Sequence, residues 1–331
     1  MRVGMNPQKQ SKKIELEFQH RVIIVVFIPS LDGYYKNVLE VFKLCLDSAI
    51  ATTNSNCAIT VVNNASCNEV SEFLETKLED DSINSVIYHT KNIGKIDALI
   101  GAARSSREPI ITLVDVDILF KYGWQNEVEK IFTIIKNVGS VSPIPCRNFK
   151  NYETSSTLSK VLTKKVKFQY EAIPENHKAH NEYLKSFHWE LETDKNAKWP
   201  VIESGGVKAI AGSGHQILSM RRELFFSTVP VEPSLILVGN NSEFLYCDQP
   251  INYSGGMRLS TYNNYAYHMG NNVEDWMQEV QNNNLKLAKS ISDDFNKFNL
   301  PNFKPKPINF NMYRLKKRIV HRLFNLIYGK G

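Results

Sequence analysis

Two aspartates separated by one residue, Asp115 and Asp117 in the run PIITLVDVDILF at 109–120, are the side chains best placed to do chemistry. They close a short apolar run. In a strand, residues two apart point to the same side, so both carboxylates would face one spot at its C-terminal end. Two carboxylates aimed at one spot repel each other unless a cation sits between them. A hard divalent ion, Mg²⁺ or Mn²⁺, takes oxygen ligands and commonly binds a substrate phosphate through its remaining positions. The pair therefore suggests a diphosphate-bearing substrate held by metal. A strand end whose acids merely face water or cap the next helix is the plainer alternative.

The surrounding pattern supplies elements to position such a pair. Apolar strand-like runs at 21–29, 57–66, 85–90, 109–117 and 139–145 alternate with helical periodicity at 37–53, 68–80, 94–106 and 124–137. That alternation predicts an α/β fold, a Rossmann-like and mostly parallel sheet with helices on both faces. Ligands of such sheets gather outside the carboxyl ends of the strands, where Asp115, Asp117 and the 63–66 turn would lie. From 147 to 200 the pattern is lost in a polar, aromatic segment, which reads either as an insertion or lid over the sheet edge or as a solvated excursion. At 207–225 a strand with small residues followed by a short helix is expected. The organisation is then a mobile arm at 1–17 and a domain at 18–275, followed by a helical basic tail at 276–331. Within the domain, 18–146 form the first half, 147–200 the insertion and 201–275 the second half.

At 331 residues, with 42% hydrophobic and 22% charged, the composition is that of a globular protein. The longest apolar run, VIIVVFI, is strand-sized and far short of a membrane span. No charged leader with an apolar core stands at the N-terminus, so secretion is not expected. Five scattered cysteines without a C-x-x-C pair argue against a disulfide framework or zinc site and favour a reducing cytoplasm. Nine of the 40 basic residues and none of the 34 acidic ones lie beyond Asp294. The positive charge therefore sits in the tail, and a nucleic-acid-binding body, which would show a basic face of its own, is not expected. Within the tail, 312–328 reads as a basic amphipathic helix with Met312, Leu315, Ile319, Leu323 and Leu326 on one face. Such a helix either lies in an anionic membrane surface or docks its apolar face on the protein's own domain or a partner.

With the D-V-D run in place, the ordered segments resemble family-2 glycosyltransferases with a GT-A fold, the nucleotide-sugar enzymes that build bacterial surface polysaccharides. IPS after the first strand, VVNNAS after the second, HTKNIGKIDALIGAARSS before the fourth and VDVDILF after it follow the family's order. GSGHQILSMRRELF, LYCDQPINYSGGMRLST and YHMGN resemble its acceptor-side segments. The resemblance covers 21–146 and 205–271.

It implies a metal-dependent, inverting transfer from a nucleotide-diphospho-sugar, most simply a UDP-sugar, to a saccharide or lipid-linked acceptor. Pro29, Ser30, Asn63 and Asn64 would hold the base and ribose, with Asn63-Asn64 standing where an aspartate usually reads uracil. Asn92, Gly94 and Lys95 would lie near the ribose and diphosphate. Asp117 would bind Mn²⁺ or Mg²⁺ directly with Asp115 as its partner, and His268 would stand near the metal or serve structure. Asp248 would be the general base, Glu243 its runner-up, and an N-cap the structural alternative for Asp248. Gly212, Ser213, Gly214 and His215 would lie under the acceptor, their small side chains letting the backbone approach a sugar. A cytoplasmic enzyme, peripheral on the inner membrane face through 312–328, is expected. A non-catalytic sugar- or nucleotide-binding scaffold on the same fold is the alternative.

Overall fold

The computed structural model describes residues 4–10, 13–289 and 297–329. Parts of the expected arm and tail (1–3, 11–12, 290–296 and 330–331) lie outside the described residues. In chain order the elements begin β1 His20–Val26, α1 Val38–Thr52, β2 Cys57–Asn64, α2 Asn68–Glu79, β3 Ser85–His89, α3 Lys95–Ser105, β4 Ile110–Val114, β5 Ile118–Phe120, α4 Trp124–Ile134 and β6 Val138–Ser142. They continue α5 Ser155–Leu162, β7 Lys167–Ala172, α6 His177–Ser186, β8 Lys198–Ser204, β9 Val207–Ala211, β10 Ile217–Arg221, α7 Gln249–Tyr253, β11 Met257–Thr261, β12 Ala266–His268, α8 Asp275–Ala288 and α9 Phe310–Tyr328.

One ten-stranded sheet runs β3-β2-β1-β4-β10-β6-β11-β9-β8-β7, and β5 pairs separately with β12. The first four strands are parallel, as the alternation of strand and helix predicts. The other end is largely antiparallel: β10 runs against β4 and β6, and β7, β8 and β9 form a meander. β1 is a continuous apolar run because it is covered on both faces. Its Val22, Ile24 and Val26 belong to the core beneath α1 and α4, whereas Ile23 and Val25 pack with α3.

Three expectations need revision. β4 ends at Val114, so Asp115 and Asp117 stand in the turn between β4 and β5 and not on the strand itself. The segment 207–225 is two strands, β9 and β10, with 212–216 as the loop between them. The 147–200 stretch, which shows no period, contains α5, β7 and α6 and extends the sheet edge. Its pattern is obscured because β7 lies at the sheet edge, where no residue is fully buried.

Candidate active site

The β4–β5 turn brings three charged groups together. Lys95, the first residue of α3, places Nζ 2.8 Å from Oδ1 and 2.9 Å from Oδ2 of Asp115, and 3.5 Å from Glu243. Burial works against the Lys95 ammonium, but the charge and hydrogen bond of Asp115 and the charge of Glu243 together outweigh it and raise its pKa. Burial raises the pKa of Asp115, aided by Asp117 and opposed by Lys95. Only Oδ2 of Asp115 takes a well-directed hydrogen bond; Oδ1 is buried without one. Asp117 turns the other way, with Oδ2 3.2 Å from Nε2 of His268 on β12. That ring is fixed by Ser186 Oγ, 2.9 Å from Nδ1, and by Phe187 stacked on it at 4.7 Å.

The expected trio Asp115, Asp117 and His268 is thereby divided. Asp115 is engaged by Lys95, and Asp117 is paired with His268. No group of three or more ligand-type side chains that could hold an ion stands together among the described residues.

The acceptor-side residues form a second cluster. Asp248 ends a π-helical turn, Phe244–Asp248, and is fully buried. It stands at the N-cap position of α7, as the alternative expects, but its side chain makes no capping hydrogen bond. Its Oδ1 accepts from Arg258 Nη2 at 2.5 Å, and its Oδ2 lies 2.9 Å from both Tyr152 Oη and His215 Nδ1. Burial alone would raise its pKa; Arg258, His215 and Tyr152 together hold it low. A buried carboxylate already bonded three ways is poorly placed to touch a substrate, which counts against Asp248 as the direct base. His215 is the member that reaches outward. Burial pulls its pKa down, but Asp248 prevails and raises it. It lines a cavity of about 560 Å³ walled by Phe149, Tyr152, Tyr183, Phe187 and Trp189.

The remaining expected residues fall into place around these clusters. Asn63 and Asn64 are buried at the end of β2. Asn63 accepts from Ser66 N and donates to Ser71 Oγ; Asn64 donates to Asn92 Oδ1 and accepts from Ile93 N. Their amides tie strand ends together, so the expectation that they read a base gives way to a positioning role. Ser30 hydrogen-bonds Asp32, beside exposed Pro29. Gly94 caps α3 at φ +96°, and a Cβ there would lie 2.3 Å from the Ile236 carbonyl oxygen, so only glycine fits. The first amide of α3, on Lys95, is already bonded to Leu237 O. Gly212 and Gly214 leave room for Phe149, whose atoms would lie 2.6 Å and 3.0 Å from their Cβ positions. Their smallness admits that side chain and backbone, not a sugar. Ser213 is buried against Arg258.

Arg258, Tyr152 and Phe187 are the site residues the motifs did not single out. Arg258 left a signal: a charged residue inside the otherwise buried strand MRLST requires a buried partner.

Residues 26–185 match the sequence profile described as Glycosyl transferase family 2. This stretch is a family-2 glycosyltransferase domain. The glycosyltransferase profile includes Lys95, Asp115 and Asp117 and stops short of His215, Asp248 and His268. No curated protein matches the chain at a significant level. Among solved structures the chain resembles a mannosyltransferase from Pyrobaculum calidifontis in complex with GDP-Man and Mn²⁺. Identity is 15%, coverage is 74% of this chain and 55% of that one, and the TM-score is 0.41. TarS 1–349 of S. aureus gives 11%, 76%, 60% and 0.44. GalNAc-T7 with UDP, GalNAc and Mn²⁺ gives 10%, 96%, 57% and 0.47. The chain thus spans little more than half the length of these proteins, and at such scores the likeness carries no argument about the site. Among the described residues no helix is long and apolar enough to cross a membrane.

Proposed function

We propose that the enzyme moves a sugar, with inversion, from a metal-held nucleotide-diphospho-sugar to a hydroxyl of a saccharide or lipid-linked acceptor in surface polysaccharide assembly. A UDP-sugar is the first donor to test, and the inner membrane face is the place of work. One observation carries the reading: Phe187 joins the two clusters. It stacks on His268, the partner of Asp117, and it lines the same cavity as His215, the partner of Asp248. A leaving-group end and a base end would then share Phe187 between them, which supports an in-line displacement.

Asp117 and His268 are the residues that would hold the ion, with the Asp115 carboxylate, paired to Lys95, next to Asp117 in the same turn. A carboxylate with an imidazole suits Mn²⁺ better than the more oxygen-demanding Mg²⁺. When bound, such an ion supplies Lewis-acid stabilisation of the diphosphate leaving group. Lys95 opposes the rise that burial and Asp117 impose on the Asp115 pKa. The aromatic walls orient the acceptor by its apolar faces and exclude water. Asp248 fixes the His215 ring through Nδ1, leaving Nε2 to take the acceptor hydroxyl proton as the bond to the anomeric carbon forms and the bond to the phosphate oxygen breaks. Asp248 thus keeps a place in the chemistry, acting through His215.

Thermal-shift measurements with UDP, GDP, dTDP and CMP sugars, each with and without Mn²⁺, test the donor half. The reading expects one nucleotide series to stabilise the protein only when the metal is present. Stabilisation by none of them, or equally without metal, would overturn it. Product anomer assignment by NMR then tests inversion.

A further inference from the structure

α9 has two apolar faces, and they do different things. One face packs on the domain: Tyr313, Val320 and Phe324 are buried, and Phe324 meets Phe168 edge-on at 5.0 Å. Tyr313 and Lys317 on that side both bond the buried carboxylate of Glu153. The stripe expected from the sequence is the other face. Leu315 is 59% exposed, Leu326 73%, and Met312, Ile319 and Leu323 are likewise open. The docking of α9 on its own domain therefore leaves this stripe uncovered, and it fixes the direction in which the stripe points.

Charge says what covers it. At 100° per residue, Lys316 flanks the stripe on one edge and Arg322 and Arg318 on the other. All three are exposed, and among the described residues the only ion pair of the helix is Lys317 with Glu153. On the side of the helix turned away from the stripe, a cavity of about 600 Å³ between α9 and the Phe244–Asp248 turn is rimmed by Arg314, Arg318 and His321 over apolar Phe244, Leu245 and Phe310. Nε2 of His321 is buried there without a partner. An apolar strip between two basic edges complements a surface that is apolar beneath and anionic above.

We infer that the outward face of α9 docks on an anionic phospholipid bilayer, with Met312, Leu315, Ile319, Leu323 and Leu326 entering the interface and Lys316, Arg318 and Arg322 meeting the headgroups. The inference deepens the proposed function, because it holds the domain at the lipid surface from which a lipid-linked acceptor would come. It stands on the helix alone, so the two can fail separately.

The test is co-sedimentation of the full chain with phosphatidylcholine vesicles, with and without phosphatidylglycerol, at low and high salt. The wild type should pellet with the anionic vesicles at low salt and be released by high salt. Replacing Leu315, Ile319 and Leu323 together by Ser should weaken binding at least about tenfold. Lys316→Glu with Arg322→Glu should remove the preference for phosphatidylglycerol. Both variants should keep the wild-type circular dichroism and the wild-type nucleotide affinity by calorimetry, which reports on the donor reading independently. Equal pelleting of wild type and triple variant would overturn the inference. So would light scattering that shows a wild-type dimer made monomeric by the Ser substitutions without vesicle binding, since a second copy would then cover the stripe.

Discussion

Two carboxylates, Asp248 and Glu153, are buried in the same way and end in different roles. Each is caught by a cation, a tyrosine and a third polar side chain: Asp248 by Arg258, Tyr152 and His215, and Glu153 by Lys317, Tyr313 and Asn252. In both, the partners hold the pKa low against the opposing effect of burial. The difference lies in the third partner. Asn252 is itself buried and closes the Glu153 network, whereas His215 opens the Asp248 network onto the aromatic cavity. The same chemistry thus pins the C-terminal helix in one place and holds the His215 ring at the cavity in the other.

The comparison breaks most visibly at His215. His215→Gln leaves Asp248 paired with Arg258, so turnover should fall by about 10²–10⁴-fold while the melting temperature stays near wild type. Steady-state kinetics beside a thermal melt would check this, and a rate within about threefold of wild type would remove His215 from the chemistry. Asp248→Asn should be worse on both counts, because it also leaves Arg258 buried without its counter-charge.

pH dependence sharpens the same point. His215 must be neutral to accept a proton, and its pKa is raised above the ordinary 6.5. The rate should therefore fall as pH drops through a value above 6.5. In Asp248→Asn the acid limb should move to lower pH, since the group that raises the ring's pKa is gone while Lys95, which lowers it, remains. Profiles of kcat/KM against pH for the two proteins decide it, and coincident acid limbs would contradict the pairing.

At Glu153 the balance should reverse. Lys317→Met should cost about 2 kcal/mol of stability, less than a fully buried pair because the lysine is partly exposed, with kcat little changed. Glu153 has a lowered pKa, so its contribution is present above the unfolded value of 4.5 and is lost as pH falls through the folded value. The gap between wild type and variant in urea unfolding should accordingly be full at pH 7 and shrink in acid. Removal of the whole tail, by the same logic, would strip the partners from a buried carboxylate and uncover the Val320 and Phe324 contacts. It should destabilise the domain rather than merely release it from a membrane. The smallest effect belongs to the outward stripe, where Leu315→Ser should change stability by no more than about 0.5 kcal/mol.

The parallel half of the fold was legible because its strands are buried on both faces and its helices carry a clean period. The antiparallel half was not, because β7 lies at an edge and β9 and β10 are short strands joined by a glycine loop that imitates a single element. In the site, Asp115 and Asp117 were legible from type and spacing, whereas Lys95 came only through the family resemblance and its pairing with Asp115 did not show. The division of the acids between Lys95 and His268 was not, since the turn after Val114 sends them in different directions. The amides of Asn63 and Asn64 looked like base readers because sequence carries no record of Asn92 and Ser71 closing on them. The tail's apolar stripe was legible, but its outward direction was set by Tyr313, Val320 and Phe324, which a single-stripe reading passes over.

The central claim is that the Asp117–His268 pair holds a metal-linked nucleotide diphosphate. Isothermal titration of UDP into the wild type and Asp117→Ala, each with and without Mn²⁺, tests it most directly. GDP is the second titrant if the donor screen selects it. The account predicts that Mn²⁺ strengthens binding to the wild type, that the metal-dependent gain disappears in Asp117→Ala, and that the variant's fold is unchanged by circular dichroism. An undiminished Mn²⁺-dependent affinity in the variant would contradict it.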